Sequence, residues 1–263
     1  MLSKPSLPLL HTGGRRPRLA ATEPLRTGLL RFAAFELAVW ASLYAAYLAV
    51  RGATIGSPGT ALANGRDIVA LEQALGIFHE AQVQHALSAL ERLFSAYYMA
   101  GFAPLIAVTL FWLGLRQPQH YRELRTALLI SISVATVVFV VFPAAPPRLI
   151  PDLGIADTVG LSGHDTGSFA GIRFNPYAAM PSMHVGWSLL VGLAGYRAAR
   201  RRFLRLFFAA HPVVMVLAVT ATGNHFALDA VAGAAIASAV AALVHMRGGR
   251  LRSTLATRRC QHL

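Results

Sequence analysis

Apolar positions gather into runs of membrane length at about 29–50, 94–115, 126–141, 184–196, 206–221 and 226–246. A helix needs roughly 20 mainly apolar residues to cross a hydrocarbon core, so the pattern predicts six transmembrane helices. Glu36 lies inside the first run, and an acid at that depth faces a partner or a cavity. Between the first two runs the pattern changes. Gly52, Gly56, Pro58 and Gly59 mark a turn; Ile68, Leu71, Leu75 and Ile77 then recur near helical spacing among Arg66, Asp67, Glu72 and Glu80. This predicts an amphipathic helix lying in the membrane interface. The third run stops at Phe142-Pro143-Ala144-Ala145-Pro146-Pro147-Arg148, where proline cannot continue a helix. The connection 143–181 is the longest without periodicity, and long connections in compact proteins are often functional.

Composition agrees with an all-α integral membrane protein. Hydrophobic residues make up 55% and charged residues 13%, with mean hydropathy +0.52, too apolar for an ordinary soluble domain. The net charge of +13 is therefore read by position, as a report of which loops face the cytoplasm, and nucleic acid is not an expected partner. Of the 24 Lys and Arg residues, 19 fall in 1–31, 116–125, 197–205 and 247–263, and the remaining five are Arg51, Arg66, Arg92, Arg148 and Arg173. Both termini are then expected in the cytoplasm, and the breaks before 184 and 226 open outside. The division is a disordered cytoplasmic N-terminus (1–28), a six-span catalytic domain (29–246) and a basic cytoplasmic tail (247–263). Richness in Ala, Arg and Gly suggests a bacterial plasma membrane. Cys260 is the single cysteine, so no internal disulfide forms and no Cys-His cluster holds a structural metal.

Two polar stretches interrupt this apolar background where packing does not call for histidine. They are Pro181-Ser182-Met183-His184 and Gly223-Asn224-His225-Phe226-Ala227-Leu228-Asp229. His225 and Asp229 are four apart at a helix start and share a face; a carboxylate on one imidazole nitrogen raises the basicity of the other, as a histidine nucleophile requires. His184 opens another helix on the same side and is placed to protonate a leaving oxygen. Helix starts offer free N–H groups and a positive dipole end to phosphate, and Arg148 and Arg173 add bidentate donors. Ser182 and Asn224 have two readings each, as caps of the fourth and sixth helices and as phosphate contacts. Gly192, Gly195, Gly233 and the many alanines read as close helix packing in lipid.

Pro181-Ser182-Met183-His184 and His225-x3-Asp229, in that order and topology, resemble the second and third motifs of the type 2 phosphatidic acid phosphatase superfamily. Pro146-Pro147-Arg148-Leu149, Ala179-Met180-Pro181-Ser182-Met183-His184 and Thr222-Gly223-Asn224-His225 are more similar to its inositol phosphorylceramide synthase branch. The resemblance spans roughly 29–246. It implies a vanadium-haloperoxidase-like helical core, a phosphorylated lipid as substrate, no metal and no cofactor. It also implies roles: His225 as the nucleophile, Asp229 orienting it, His184 as the acid, and Arg148 as the first-motif arginine. Two family cations are absent, their positions falling on Val141 and Val219; this suggests the transferase branch, with Arg173 as a substitute. Ser162-Gly163-His164 matches the family's Ser-Gly-His more literally, but no apolar helix follows it, and His184 is preferred. Water as acceptor makes the protein a lipid phosphatase; an alcohol makes it a phosphotransferase. A lipid carrier is the non-enzymatic alternative, and a zinc hydrolase using His184, His225 and Asp229 is another. The oligomeric state is left open.

Overall fold

The computed structural model describes residues 28, 30–31, 33–42, 45–46, 58–160, 168–169, 172–173 and 175–260, with backbone alone at 168–169, 172–173 and 249–260. The chain forms two units, one ending at Ala46 and the other beginning at Tyr47. The first holds a short apolar helix, α1 (Ala33–Ser42). The expected leader at 1–28, most of the rest of the 29–50 run, and the turn at Gly52 and Gly56 lie outside the described residues.

The second unit is helical: α2 (Pro58–Leu75), α3 (Glu80–Ala86), α4 (Glu91–Ala96), α5 (Phe102–Arg116), α6 (Pro118–Val141), α7 (Met183–Ala198), α8 (Arg202–Ala221) and α9 (Ala227–Cys260). A 3-10 turn at Ser88–Leu90 and a π-helical turn at Tyr97–Gly101 join with α4 and α5 into one helical stretch, Ser88–Arg116. Among the described residues the strands are a two-residue antiparallel pair, β1 (Ser168–Phe169) and β2 (Ile172–Arg173).

Among the described residues, four stretches are long and apolar enough to cross a membrane: Ser88–Arg116, Pro118–Val141, Arg202–Ala221 and Ala227–Gly248. Helices suit this solvent because they bond their backbone groups internally. Their outward faces are apolar, with Phe111 68% and Val137 63% exposed, the surface a bilayer covers.

α6 starts at Pro118, not near 126. Proline at the first helical position has no N–H to lose, and two polar turns follow before the apolar run that periodicity detects. α9 likewise runs past Met246 to Cys260, so the backbone of the basic tail is helical over most of its length. Gln117 Nε2 donates to Ala198 O (2.8 Å), tying the α5–α6 corner to the end of α7. His120, Glu123, Arg197 and His245 line one cleft at that pole, while His184 opens the other end of α7.

α7 has 16 residues, about 24 Å at 1.5 Å per residue, short of a hydrocarbon core of about 30 Å. It is surrounded by α5, α6, α8 and α9, so protein rather than lipid covers its sides. Close approach needs glycine: a Cβ on Gly195 would lie 2.3 Å from the Phe208 ring, one on Gly192 2.7 Å from Phe208 O, and one on Gly233 of α9 2.0 Å from Ser182 O.

Where it is described, at 143–160, 168–169, 172–173 and 175–181, the connection after α6 is built rather than structureless. It contains a 3-10 turn at Pro147–Leu149. Ala145 N–H donates to Ala61 O (2.9 Å), Arg148 N–H to Gly223 O (3.0 Å), and Ala144 bridges Ala178. Gln84 of α3 completes the lacing, donating to Ala156 O and Ala221 O and accepting from Ala156 N–H. The α2 region and this connection thereby share a core containing Ile68, Ala145, Ile150 and Phe226.

Candidate active site

Two chain reversals bring the histidines together. At the first, Ser182 caps α7, its Oγ accepting from Val185 N–H (3.4 Å), while its own N–H donates to Asp229 O (2.9 Å). At the second, α8 ends in a Schellman arrangement: Gly223 N–H donates to Thr220 O (3.0 Å) and Asn224 N–H to Val219 O (2.9 Å). Gly223 has φ +65°, and a Cβ there would lie 2.7 Å from Ile155 Cγ2, so glycine suits both the turn and its packing. His225 follows two residues later, just ahead of α9.

His225 Nδ1 lies 3.4 Å from Asp229 Oδ2, and the two side chains are 5% and 0% exposed. The same Oδ2 accepts from Phe226 N–H at 2.9 Å, so Asp229 also caps the start of its own helix, as the N3 acid does in one half of a capping box. The His184 ring sits 5.8 Å from that of His225, packed against Tyr98 (4.3 Å) and Phe102 (4.9 Å). The π-helical turn carries Tyr98, and it sends Tyr97 to His211, with 2.6 Å between Tyr97 OH and Nδ1.

Arg148 is buried beside this pair. Its Nη1 donates to Asn224 Oδ1 and its Nε lies 3.7 Å from Asp157 Oδ1. Burial pushes the guanidinium pKa down, opposed by Tyr98 and Asp157. Arg148 also lines an open recess of about 560 Å³ bounded by Leu149–Asp152 and Gly154–Ala156.

The structure therefore gathers His184, His225, Asp229, Arg148, Asn224 and Ser182. Arg173 has its backbone in β2, with its side chain outside the described residues, and His164 lies outside them altogether. Two expectations change. Asn224 does not cap α9: its Nδ2 donates to Thr222 Oγ1 (2.8 Å) and its Oδ1 receives Arg148. The start of α9 is also no free anion site, because the Phe226, Ala227 and Leu228 N–H groups are taken by Asp229, Glu80 and Glu72. Glu72 and Glu80, read in sequence as the polar face of a helix, are 0% and 2% exposed. Tyr98 and Asp157 also belong to the neighbourhood, and neither carried a motif signal. Among the described residues, no three His, Cys, Asp or Glu side chains are grouped to hold a metal ion.

The family model of the PAP2 superfamily matches residues 66–243, more than half of the chain, and that stretch contains every one of these groups. The chain belongs to the PAP2 superfamily. No curated protein and no solved structure matches it. Membership in this family supports phosphatase or phosphotransferase chemistry on lipid phosphates, and the four apolar stretches suit a substrate drawn from a bilayer.

Proposed function

We propose that the chain is a membrane phosphotransferase moving a phosphoryl or phospho-head group from a phosphorylated lipid, through His225, to an alcohol acceptor. The observation that carries the reading is the His225–Asp229 pair set 5.8 Å, ring to ring, from His184, with buried Arg148 alongside. With Nδ1 directed to Asp229, Nε2 is the nitrogen left for phosphorus. In the first step the P–N bond forms as the bond to the leaving oxygen breaks, and protonated His184 gives that oxygen its proton. In the second, His184 takes the acceptor's hydroxyl proton as the new P–O bond forms and the P–N bond breaks. Asp229 holds the imidazole tautomer throughout, and no metal enters either step.

Arg148 grips phosphate oxygens, Asn224 acts by holding Arg148, and Ser182 and Arg173 add contacts. The valines at 141 and 219 support the inositol phosphorylceramide synthase-like branch. Val219 is fully buried, and its carbonyl accepts from Asn224 and His225 N–H, a structural post in place of a cation. Six spans are completed by α7 and the 29–50 run, α2 lies at the interface, and the site opens outside with both termini in the cytoplasm. The clustering of Arg197, His120 and His245 at the pole opposite His184 supports that orientation.

Family membership equally favours hydrolysis, with water as acceptor, and one experiment divides the readings. Purified wild type and His225→Ala, in detergent with EDTA, are offered labelled polyprenyl phosphate or phosphatidylinositol with and without alcohols. An acceptor-dependent phospho-product lost in His225→Ala is the expected result. Free phosphate alone makes the protein a lipid phosphatase; turnover abolished by EDTA restores the metal reading; full turnover in His225→Ala refutes the mechanism. No turnover on any donor in detergent, with lipid movement between leaflets once the protein is reconstituted in vesicles, makes it a carrier.

A further inference from the structure

The start of α9 is held by an unusual set of partners. A helix leaves its first N–H groups unsatisfied, and here three consecutive ones each meet a carboxyl group. Phe226 N–H donates to Asp229 Oδ2 (2.9 Å), Ala227 N–H to Glu80 Oε1 (3.1 Å) and Leu228 N–H to Glu72 Oε1 (2.7 Å). Asp229 is local, whereas Glu72 comes from the end of α2 and Glu80 from the start of α3. All three are at most 2% exposed. The Glu72 and Glu80 carboxyl groups are neighbours, and the Oε2 of each is buried without a hydrogen-bond partner.

Two ionised carboxylates cannot hydrogen-bond each other; one must carry a proton. The charged groups facing Glu72 are Glu80 on α3 and Asp229 on α9, both acidic. Fully ionised, the cluster would set three negative charges against a helix end worth roughly half a positive charge. One shared proton removes one of those charges and supplies the missing donor.

We propose that Glu72 and Glu80 form a proton-sharing carboxyl pair that positions the first turn of α9, and with it His225 and Asp229, and that the turn loosens when the proton leaves. The catalytic consequence rests on the role assigned to His225; the structural consequence does not. Burial is the main cause that pushes the Glu72 pKa up, to about 8, with Glu80 and Asp229 adding to it against the Leu228 hydrogen bond, so the proton leaves in the mildly alkaline range. Glutamine at 72 keeps the geometry without a proton to lose: its carbonyl accepts from Leu228, and its amide donates to Glu80.

The test reads the turn directly. Deuterium uptake by the peptide spanning 226–229, corrected for intrinsic exchange, is followed from about pH 7 to about pH 9 in wild type and Glu72→Gln, with turnover measured alongside. Uptake in wild type is expected to step up across this range while turnover falls, and both changes are expected to vanish in Glu72→Gln, which keeps its neutral-pH turnover. Glu72→Ala is expected to lose at least about tenfold in kcat at every pH, a misplaced catalytic group being costly. A wild-type peptide without a pH step, or the same step in Glu72→Gln, overturns the proposal. The exchange step surviving in an active His225→Ala protein would overturn the catalytic role and leave the carboxyl pair standing.

Discussion

Gly233→Ala isolates how strongly the site depends on the approach of α9 to α7. The added Cβ would lie 2.0 Å from Ser182 O and 2.9 Å from Ser182 C, whereas real Cβ contacts essentially never fall below 3.0 Å. The obstacle is backbone, so no rotamer relieves it, and the helices must separate by at least about 1 Å. Ser182 caps the helix that begins with Met183 and His184, and Gly233 lies one turn past Asp229, so the separation falls between the two histidines. Overpacking of this kind costs about 1–3 kcal/mol of stability. A misplacement of about 1 Å costs on the order of 10²-fold in rate, or about 2.7 kcal/mol of barrier. Turnover is therefore expected to fall about a hundredfold in protein that still purifies as a folded species with a lowered Tm. Gly114→Ala is the control, since its Cβ would sit 3.5 Å from Tyr121 Cδ2 in ordinary contact. Wild-type kcat in Gly233→Ala, or an equal loss in Gly114→Ala, would refute the argument that this contact sets the distance between the histidines.

Asp229→Asn should keep the capping acceptor for Phe226 N–H yet lose the anion that holds the imidazole, lowering kcat by on the order of 10²–10⁴-fold with little change in Tm. Asp229→Ala should additionally lose the cap, about 1 kcal/mol by thermal unfolding. Arg148→Lys removes the planar fork that meets Asn224 and approaches Asp157, and a rise in KM of about tenfold is expected from steady-state assays, with Asn224→Ala following the same direction. Stability should also carry the imprint of Glu72. Its folded pKa is raised from 4.5 to about 8, so between those values the unfolded chain has released a proton that the folded chain keeps. Its contribution is thus fully present below 4.5 and declines as pH rises toward 8. Tm measured against pH should show that decline in wild type and lose it in Glu72→Gln; identical slopes would remove Glu72 as its source.

Much of the architecture is written locally. The runs that became α5, α6, α8 and α9 are legible because a bilayer rewards length and apolarity, quantities counted along the chain. The i, i+4 spacing of His225 and Asp229 and the serine ahead of α7 are likewise local, since helix geometry turns spacing into contact. The two histidine stretches and the arginine after the proline break could be named from residue type and position.

Partners distant in sequence could not be read this way. Glu72 and Glu80 sit in an amphipathic pattern, where an acid reads as facing water; their burial follows from N–H groups 156 and 147 residues away that need acceptors. The same contacts occupy the helix end that sequence offered to phosphate, because a free N–H is defined by what packs against it rather than by where the helix starts. Asn224 turned from cap to Arg148 partner for a similar reason, the competing donor coming from 76 residues upstream. Tyr98 reaches His184 through a π-helical turn, a change of helical register to which apolar periodicity is blind. Sequence alone determined the membrane solvent, most of the helices and the residue types able to carry phosphoryl transfer. Tertiary packing decided their distances, because glycine contacts such as Gly233 against Ser182 and long-range caps such as Glu72 on Leu228 are formed between segments far apart along the chain.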